Sequence, residues 1–398
     1  MVGSRSAEKF NAVQLWPKLQ RNVDSITCLG PLIDGCYIAY RPTYEVKFDT
    51  HPSKPWIILV TGPHTLEVWN YEDGNQVGSW RVFGHAIKVA KFMTHQKEWV
   101  VMHDDHELIY VYEIHSFTSQ RGLMLLRTIQ SRGTYVADMA THRNSPYLLT
   151  GFRTKYVELW DSELGGWKRT ALTGHSKPVV LVTFHPHDAN IFATISGDAM
   201  VNVWDSRTMS TAQEPLEVCG AICKTMQFCH KQPMPFLILG FVGGLIQIWD
   251  YCKGVCVVKM EHTTSQPLRV VLRAAFYHPR LPFIFSASEE GIVKVWSELD
   301  YTLMTTYTSG LKRLCSMAAG LDSDTIVLGG DKSFVVVEVA ELVKDTESVA
   351  VQQTRSHGQG NDQGEHVIRV QGMDESSSAS MRKPEERKAL ESNADSDH

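Results

Sequence analysis

Residues 172–207 read LTGHSKPVVLVTFHPHDANIFATISGDAMVNVWDSR. The stretch places Gly174-His175, Asp198 and Trp204-Asp205 at set offsets, and it decides the fold only if it is one copy of a repeat. Its last third recurs. TLEVWNYEDG surrounds Trp69, LIYVYEIHS surrounds Tyr112, YVELWDSELG surrounds Trp160, LIQIWDYCKG surrounds Trp249 and IVKVWSELD surrounds Trp296. A faded copy, FVVVEVAE, covers residues 334–341. Successive anchors from Trp69 to Trp296 lie 43, 48, 44, 45 and 47 residues apart. A period near 45 with a Trp-Asp signature is that of a propeller with four short strands per blade. Each copy alternates apolar and polar residues before a turn, as a strand does. Seven copies over about residues 40–343 predict an all-β, seven-bladed WD-repeat propeller.

Both flanks differ from the repeat. Residues 1–39, with NAVQLWPKLQ, are predicted to be an N-terminal extension outside it. From residue 344 the chain turns rich in Gln, Ser, Gly, Asp and Glu, and residues 352–398 hold no aromatic side chain. Such a segment buries too little apolar surface to offset its ordering entropy, so 344–398 is predicted to be a disordered polar tail.

Composition narrows the function. The 398 residues are 43% hydrophobic and 21% charged, as in a soluble globular protein. A net charge of −5 gives no reason to expect nucleic-acid binding. The longest apolar runs, such as WIILV, have strand length, far short of the roughly 20 residues of a membrane helix. The first residues lack the apolar core of a secretory signal. The expectation is a cytoplasmic protein without membrane insertion.

In the opening stretch His175, Thr183, Asp198 and Trp204 fit the buried hydrogen-bonded chain of a WD-repeat blade. A His-Asp pair invites a catalytic reading, but its spacing is that of the blade network, so the role is structural. Where this copy has Asp198 the others show Pro63, His106, Thr154, Gly243 and Glu290, so sheet packing must carry those blades. Cys219, Cys223, Cys229 and His230 lack the paired spacing of structural zinc and read as buried free thiols. His103 to Glu107 (HDDHE) falls in a hairpin, where consecutive side chains diverge, and reads as a solvated turn. Neither group predicts a metal. No GxxxxGK[ST] or GxSxG is present. The expectation is therefore no enzyme and no cofactor.

The aligned copies resemble a particular family. IQIWDYCKGVCVVKMEH (246–262) and FYHPRLPFIFSASEEGIVKVWSELDYTLMTTYTSGLKRLCSMA (276–318) are similar to the first propeller of coatomer beta-prime subunits. HPSKPW (51–56), AKFMTHQKEWVV (90–101), SPYLLTGF (145–152) and WDSELGGW (160–167) agree, and the resemblance runs from about residue 44 to 338. It implies a non-enzymatic interaction scaffold in vesicle transport between Golgi and endoplasmic reticulum, peripheral on membranes through coat subunits. The family continues into a second propeller and a solenoid, whereas this sequence stops after one, so binding without coat assembly is expected. In the family, basic residues on the top face take the carboxylate of a dilysine tail and aspartates take its lysines. Lys88 keeps one basic position. Tyr44 and Val46 stand at two others, and Thr134 and Arg153 stand at aspartate positions. The cargo site is therefore expected to be largely lost. An alternative comes from residues 191–207, which resemble the box by which WD-repeat receptors dock on a cullin-RING ubiquitin-ligase adaptor. Asp198, Trp204, Asp205 and Arg207 fill that box.

Overall fold

The computed structural model describes residues 13–22 and 48–341, apart from 83, 85, 96, 105–107, 118–121, 131–134, 164–166, 219–221, 263–269, 312, 321–323 and 331–332. The described residues form 29 strands in seven antiparallel sheets, and no helix. Six sheets follow the chain, over residues 48–81, 87–130, 136–173, 179–217, 223–261 and 272–308. We call them blades 1 to 6 and name the strands of each a to d, from the central channel outward. The residues lining that channel come mainly from strands a. Trp69, Tyr112, Trp160, Trp204, Trp249 and Trp296 all lie on strand c, which is why their spacing measures the blade.

Blade 7 is built from both ends of the described chain. Leu314–Ala319, Thr325–Gly330 and Ser333–Glu341 supply three strands, and Val13–Asn22 supplies the fourth. It pairs antiparallel from Val13↔Glu341 to Asn22↔Ser333. Part of the expected N-terminal extension is thus the outer strand of the last blade. The reason is one of edges: the faded copy ends after three strands, and an open edge of unpaired N–H and C=O groups needs covering. The expected tail, 344–398, lies outside the described residues.

Buried apolar side chains fall into seven clusters, each between neighbouring sheets. Phe48, Ile57 and Leu59 of blade 1 meet Val327, Phe334 and Val336 of blade 7, which closes the ring. Burying a side chain of this size stabilises by about 1.5–3 kcal/mol. In blade 4 the outer edge breaks into Ser210–Thr211 and Leu216–Glu217, both paired to strand c. Pro215 lies between them and has no N–H to give the ladder.

One irregularity positions the site. Strand a shifts register after its first residue in blades 2 to 7. The bulged residues are Lys88, Ala137, Val180, Lys224, Arg273 and Cys315. A bulge leaves one residue outside the alternation and re-aims its side chain. It sets three cations at the end of the channel formed by the d–a loops and b–c turns, here called the top.

Candidate functional site

The top face is built on those bulges. Lys88 and Lys224 are exposed. Arg153, in the b–c turn of blade 3, is exposed too, and its N–H donates to Tyr135 O at 2.9 Å. Register places Arg153 opposite the start of strand a as Glu289 is in blade 6, since Val136↔Phe152 matches Leu272↔Ser288. Blade 6 has an acid at that place, Glu289, but its charge is spent. Arg273 donates to Glu289 Oε2 at 2.6 and 3.1 Å, and Arg313 to Oε1 at 2.6 Å. Burial works against the Glu289 charge, yet these two partners hold its pKa below the ordinary value. Tyr44, Val46 and Thr134 lie outside the described residues.

Within blade 4 the hydrogen bonds correct one residue. His175 Nε2 lies 2.7 Å from Thr194 Oγ1, and Trp204 Nε1 donates to the same oxygen at 2.8 Å. Thr194, not Thr183, is the hydroxyl of the network. Thr183 is on strand a, lines the channel, and has only Phe184 O at 3.5 Å. Thr194 is on strand b opposite Asn202, two residues before Trp204, on the face the indole covers. Asp198 Oδ2 accepts from Ser176 N at 3.0 Å and Ser176 Oγ at 2.8 Å, and Oδ1 from Met200 N at 3.1 Å and from Ser196. Burial opposes its charge, but these donors hold its pKa well below the carboxylate range. His175 Nδ1 stands 3.8 Å from Asp198, an electrostatic contact rather than a hydrogen bond. Burial lowers the His175 pKa, and Asp198 only partly offsets this. Gly174 is required, because a Cβ there would meet the Trp204 ring at 2.8 Å.

The other indoles follow a rule that sequence reasoning missed. Where strand b offers a hydroxyl, the Trp uses it: Trp160 donates to Thr150 Oγ1 at 3.1 Å and Trp296 to Ser286 Oγ at 2.9 Å. In blade 6 His262 Nδ1 adds a contact to Ser286 Oγ at 2.8 Å. Where strand b has Leu59 or Leu239 instead, the partner is two residues back on strand c: Glu67 takes Trp69 at 2.9 Å and Gln247 takes Trp249 at 3.0 Å. A buried indole N–H needs a partner, and register leaves two places for one.

At the bottom of the propeller a second repeated device was missed. His51, His142, His185 and His278 directly follow their strands a, and each Nδ1 accepts one or two backbone N–H groups of the following turn, at 3.0–3.3 Å. The signal is the recurrent His-Pro pair, His51-Pro52, His185-Pro186 and His278-Pro279. Burial pulls His278 down to about 4, with Lys231 and Arg280 adding to the shift. In blade 5 Cys229 holds this place, and burial pushes its thiol up to about 11.

Cys223 and Cys229 are buried and Cys252 is exposed, and none of the three is in a disulfide. Cys219 lies outside the described residues. Among the described residues no group of His, Cys, Asp and Glu is arranged to hold a metal ion. His103 and Asp104 are buried rather than solvated. Asp104 accepts from Leu108 N at 2.9 Å and Tyr110 OH at 2.8 Å, closing its own turn. Arg207 is exposed and forked onto Asp205, at 2.8 and 2.6 Å. In the channel Lys91 Nζ meets Asp49 at 3.0 Å. Asp49 also accepts from Phe92 N, and Asp138 from Val182 N, so each carboxylate ties its strand a to the next.

Comparison with known proteins places this geometry. The WD domain, G-beta repeat family matches residues 166–205. A probable coatomer subunit beta' of Schizosaccharomyces pombe is 31% identical over 45% of the chain, 21% of its own length. Coatomer subunit beta' of Drosophila melanogaster is 26% identical, and that of Rattus norvegicus 28%, each over 73% of the chain. The chain is a WD-repeat propeller similar to coatomer subunit beta'. The chain spans 30% and 31% of the length of those two relatives. No helix among its described residues is long and apolar enough to cross a membrane.

Proposed function

We propose that the chain is a non-enzymatic protein-interaction platform in coat-dependent vesicle transport between Golgi and endoplasmic reticulum. It works in the cytoplasm, peripheral on membranes through other coat subunits, and its dilysine cargo site is largely lost. The similarity to coatomer beta' over 73% of the chain carries the process. The top face carries the loss. Arg153 replaces an acid that would receive a lysine, and like charges across an interface cost several kcal/mol. Glu289, the acid at the matching place in blade 6, is held by two arginines. Lys88 remains for a carboxylate but lacks the two-pronged grip of Arg. Affinity purification of the full chain tests the process, with coat subunits as the expected partners. Titration with a dilysine-tail peptide tests the loss. Micromolar binding that vanishes when both lysines become serine would restore a cargo-receptor role.

A second reading, a ubiquitin-ligase receptor, rests on Arg207, which is exposed and held in one pose by Asp205. Arg is a frequent interface anchor. Recovery of the ligase adaptor, lost on Arg207→Ala without a change in melting temperature, would favour it.

A further inference from the structure

The top face is basic over four consecutive blades. Lys88 in blade 2, Arg153 and Lys155 in blade 3, Lys177 in the loop leading to blade 4 and Lys224 in blade 5 are all exposed. None has an ion-pair partner among the described residues. By contrast, cations such as Lys54, Arg169, Arg207, Lys231 and Lys253 each meet a carboxylate. Among the described residues, the carboxylates of this face have other partners or lie elsewhere, Asp104 being turned to Leu108 N and Tyr110 OH. Asp198 is occupied by Ser176, Ser196 and Met200, and Glu289 by Arg273 and Arg313. The exposed Glu217 and Glu261 sit on outer strands, and Glu290 on blade 6.

The sector also carries apolar surface. Tyr135 is 56% exposed and Tyr156 45%, on either side of the turn that holds Arg153. Backbone bonds join the parts: Arg153 N to Tyr135 O, and Val179 N to Thr154 O, both at 2.9 Å. Cations spread over four blades exceed the reach of one phosphate. They match carboxylates spaced along a chain, and the two rings match that chain's apolar side chains.

We infer that this sector binds an extended acidic segment of a partner protein, its carboxylates meeting Lys88, Arg153, Lys155, Lys177 and Lys224 and its apolar side chains covering Tyr135 and Tyr156. The inference rests on the reading that dilysine tails are not the ligand, since the same cations would repel them.

Fluorescence anisotropy tests it, with the full chain and a labelled peptide that alternates Glu with Leu and Tyr. Binding is expected, weakening as salt rises. Arg153→Glu is expected to weaken it about tenfold. Lys168→Glu, the same charge change at an exposed site at the opposite end of blade 3, should leave it unchanged. Melting curves of both variants should overlay the parent, because both sites are exposed. Absence of parent binding overturns the inference, as does equal weakening by Lys168→Glu. Binding to phosphatidylserine vesicles without binding to the peptide overturns it too, since the sector would then read a membrane. A dilysine peptide runs in parallel. If it binds, the underlying reading has failed; if neither peptide binds, only this inference has.

Discussion

Blades 3 and 4 have the same four-stranded plan and an indole at the same place, but they differ in how much polar structure lies beneath it. In blade 4 Thr194 bonds both His175 and Trp204, and Asp198 ties the b–c turn to the preceding loop. In blade 3 Thr150 accepts from Trp160 and donates to Glu158 O at 3.3 Å but meets no histidine, and the residue at the Asp198 position, Thr154, has a buried hydroxyl without a partner among the described residues. Sheet pairing and interblade packing suffice to form a blade, so the network is an addition. Its worth lies in groups that become orphans when one member is removed.

The largest break in the comparison comes from the shared hydroxyl. Thr194→Val keeps shape and burial but strands the Trp204 N–H and the last partner of His175, whose Nδ1 already has none. Two stranded groups at 1–3 kcal/mol each put the loss at about 3–4 kcal/mol. Thr150→Val strands the Trp160 N–H and removes the longer bond to Glu158 O, and should cost about 1–2 kcal/mol. Urea denaturation of both variants checks this, and equal losses would show that the blade 4 network acts no more strongly than the Thr150 bonds in blade 3.

Acid should separate blades with a buried histidine from those without. His262 of blade 6, fully buried at Ser286, is brought down to about 4 by burial and by Lys294. A histidine depressed in the folded state stays neutral there while the unfolded chain takes up a proton. Stability is therefore full above about pH 6.5 and falls as pH drops toward 4. The shift corresponds to on the order of 3 kcal/mol for His262, and a buried His278 adds a similar amount at the foot of strand a. His262→Gln should flatten part of the stability-against-pH curve between 6.5 and 4. An unchanged slope would mean that His262 is solvated and titrates normally.

What the sequence could tell follows from the same blades. The anchors were legible because strand c places an aromatic residue at one height in blades 1 to 6, and that recurs in the linear chain. The network hydroxyl was not. Thr183 and Thr194 both alternate correctly within their strands, and only the pairing Thr194↔Asn202 puts one beneath Trp204. Val13–Asn22 escaped notice because Pro17, with a register shift beside it, interrupts its alternation, and its partner lies at the far end of the described chain. The basic sector needs the strand a bulges, which turn Lys88 and Lys224 out of the alternation that sequence reading assumes.

Asp198→Ala should cost about 2 kcal/mol, since Ser176 N and Met200 N lose a charged acceptor in a partly buried turn. Thr154→Ala removes a hydroxyl that bonds nothing and should change stability by less than about 0.5 kcal/mol. Differential scanning calorimetry of the two checks the contrast, and coincident melting temperatures would remove it.

The smallest effect concerns the turn after Asp198, and its sign is opposite. Ala199 has φ +62°, in the left-handed region. Blades 5 and 6 place Gly244 and Gly291 there, at +82° and +83°. The three turns share one hydrogen bond, from that residue's N–H to the carbonyl three residues back, at 3.2 Å for Ala199 and Gly244 and 3.0 Å for Gly291. An L-residue in this region carries a penalty of about 1–2 kcal/mol, from its Cβ against the following carbonyl oxygen. Glycine avoids that, but it adds unfolded-state freedom worth about 0.4–1 kcal/mol. The strain exceeds the entropy by a small margin, so Ala199→Gly should stabilise the protein by about 0.5 kcal/mol. The reverse change is not its mirror image. A Cβ on Gly291 would lie 2.9 Å from Leu311 O, so Gly291→Ala adds a backbone clash to the strain. Chemical denaturation at neutral pH can resolve the gain if it is measured against Asp198→Ala as an internal scale. Destabilisation by Ala199→Gly would mean that the methyl group packs more favourably than its backbone is strained, and that blade 4 tolerates alanine for that reason.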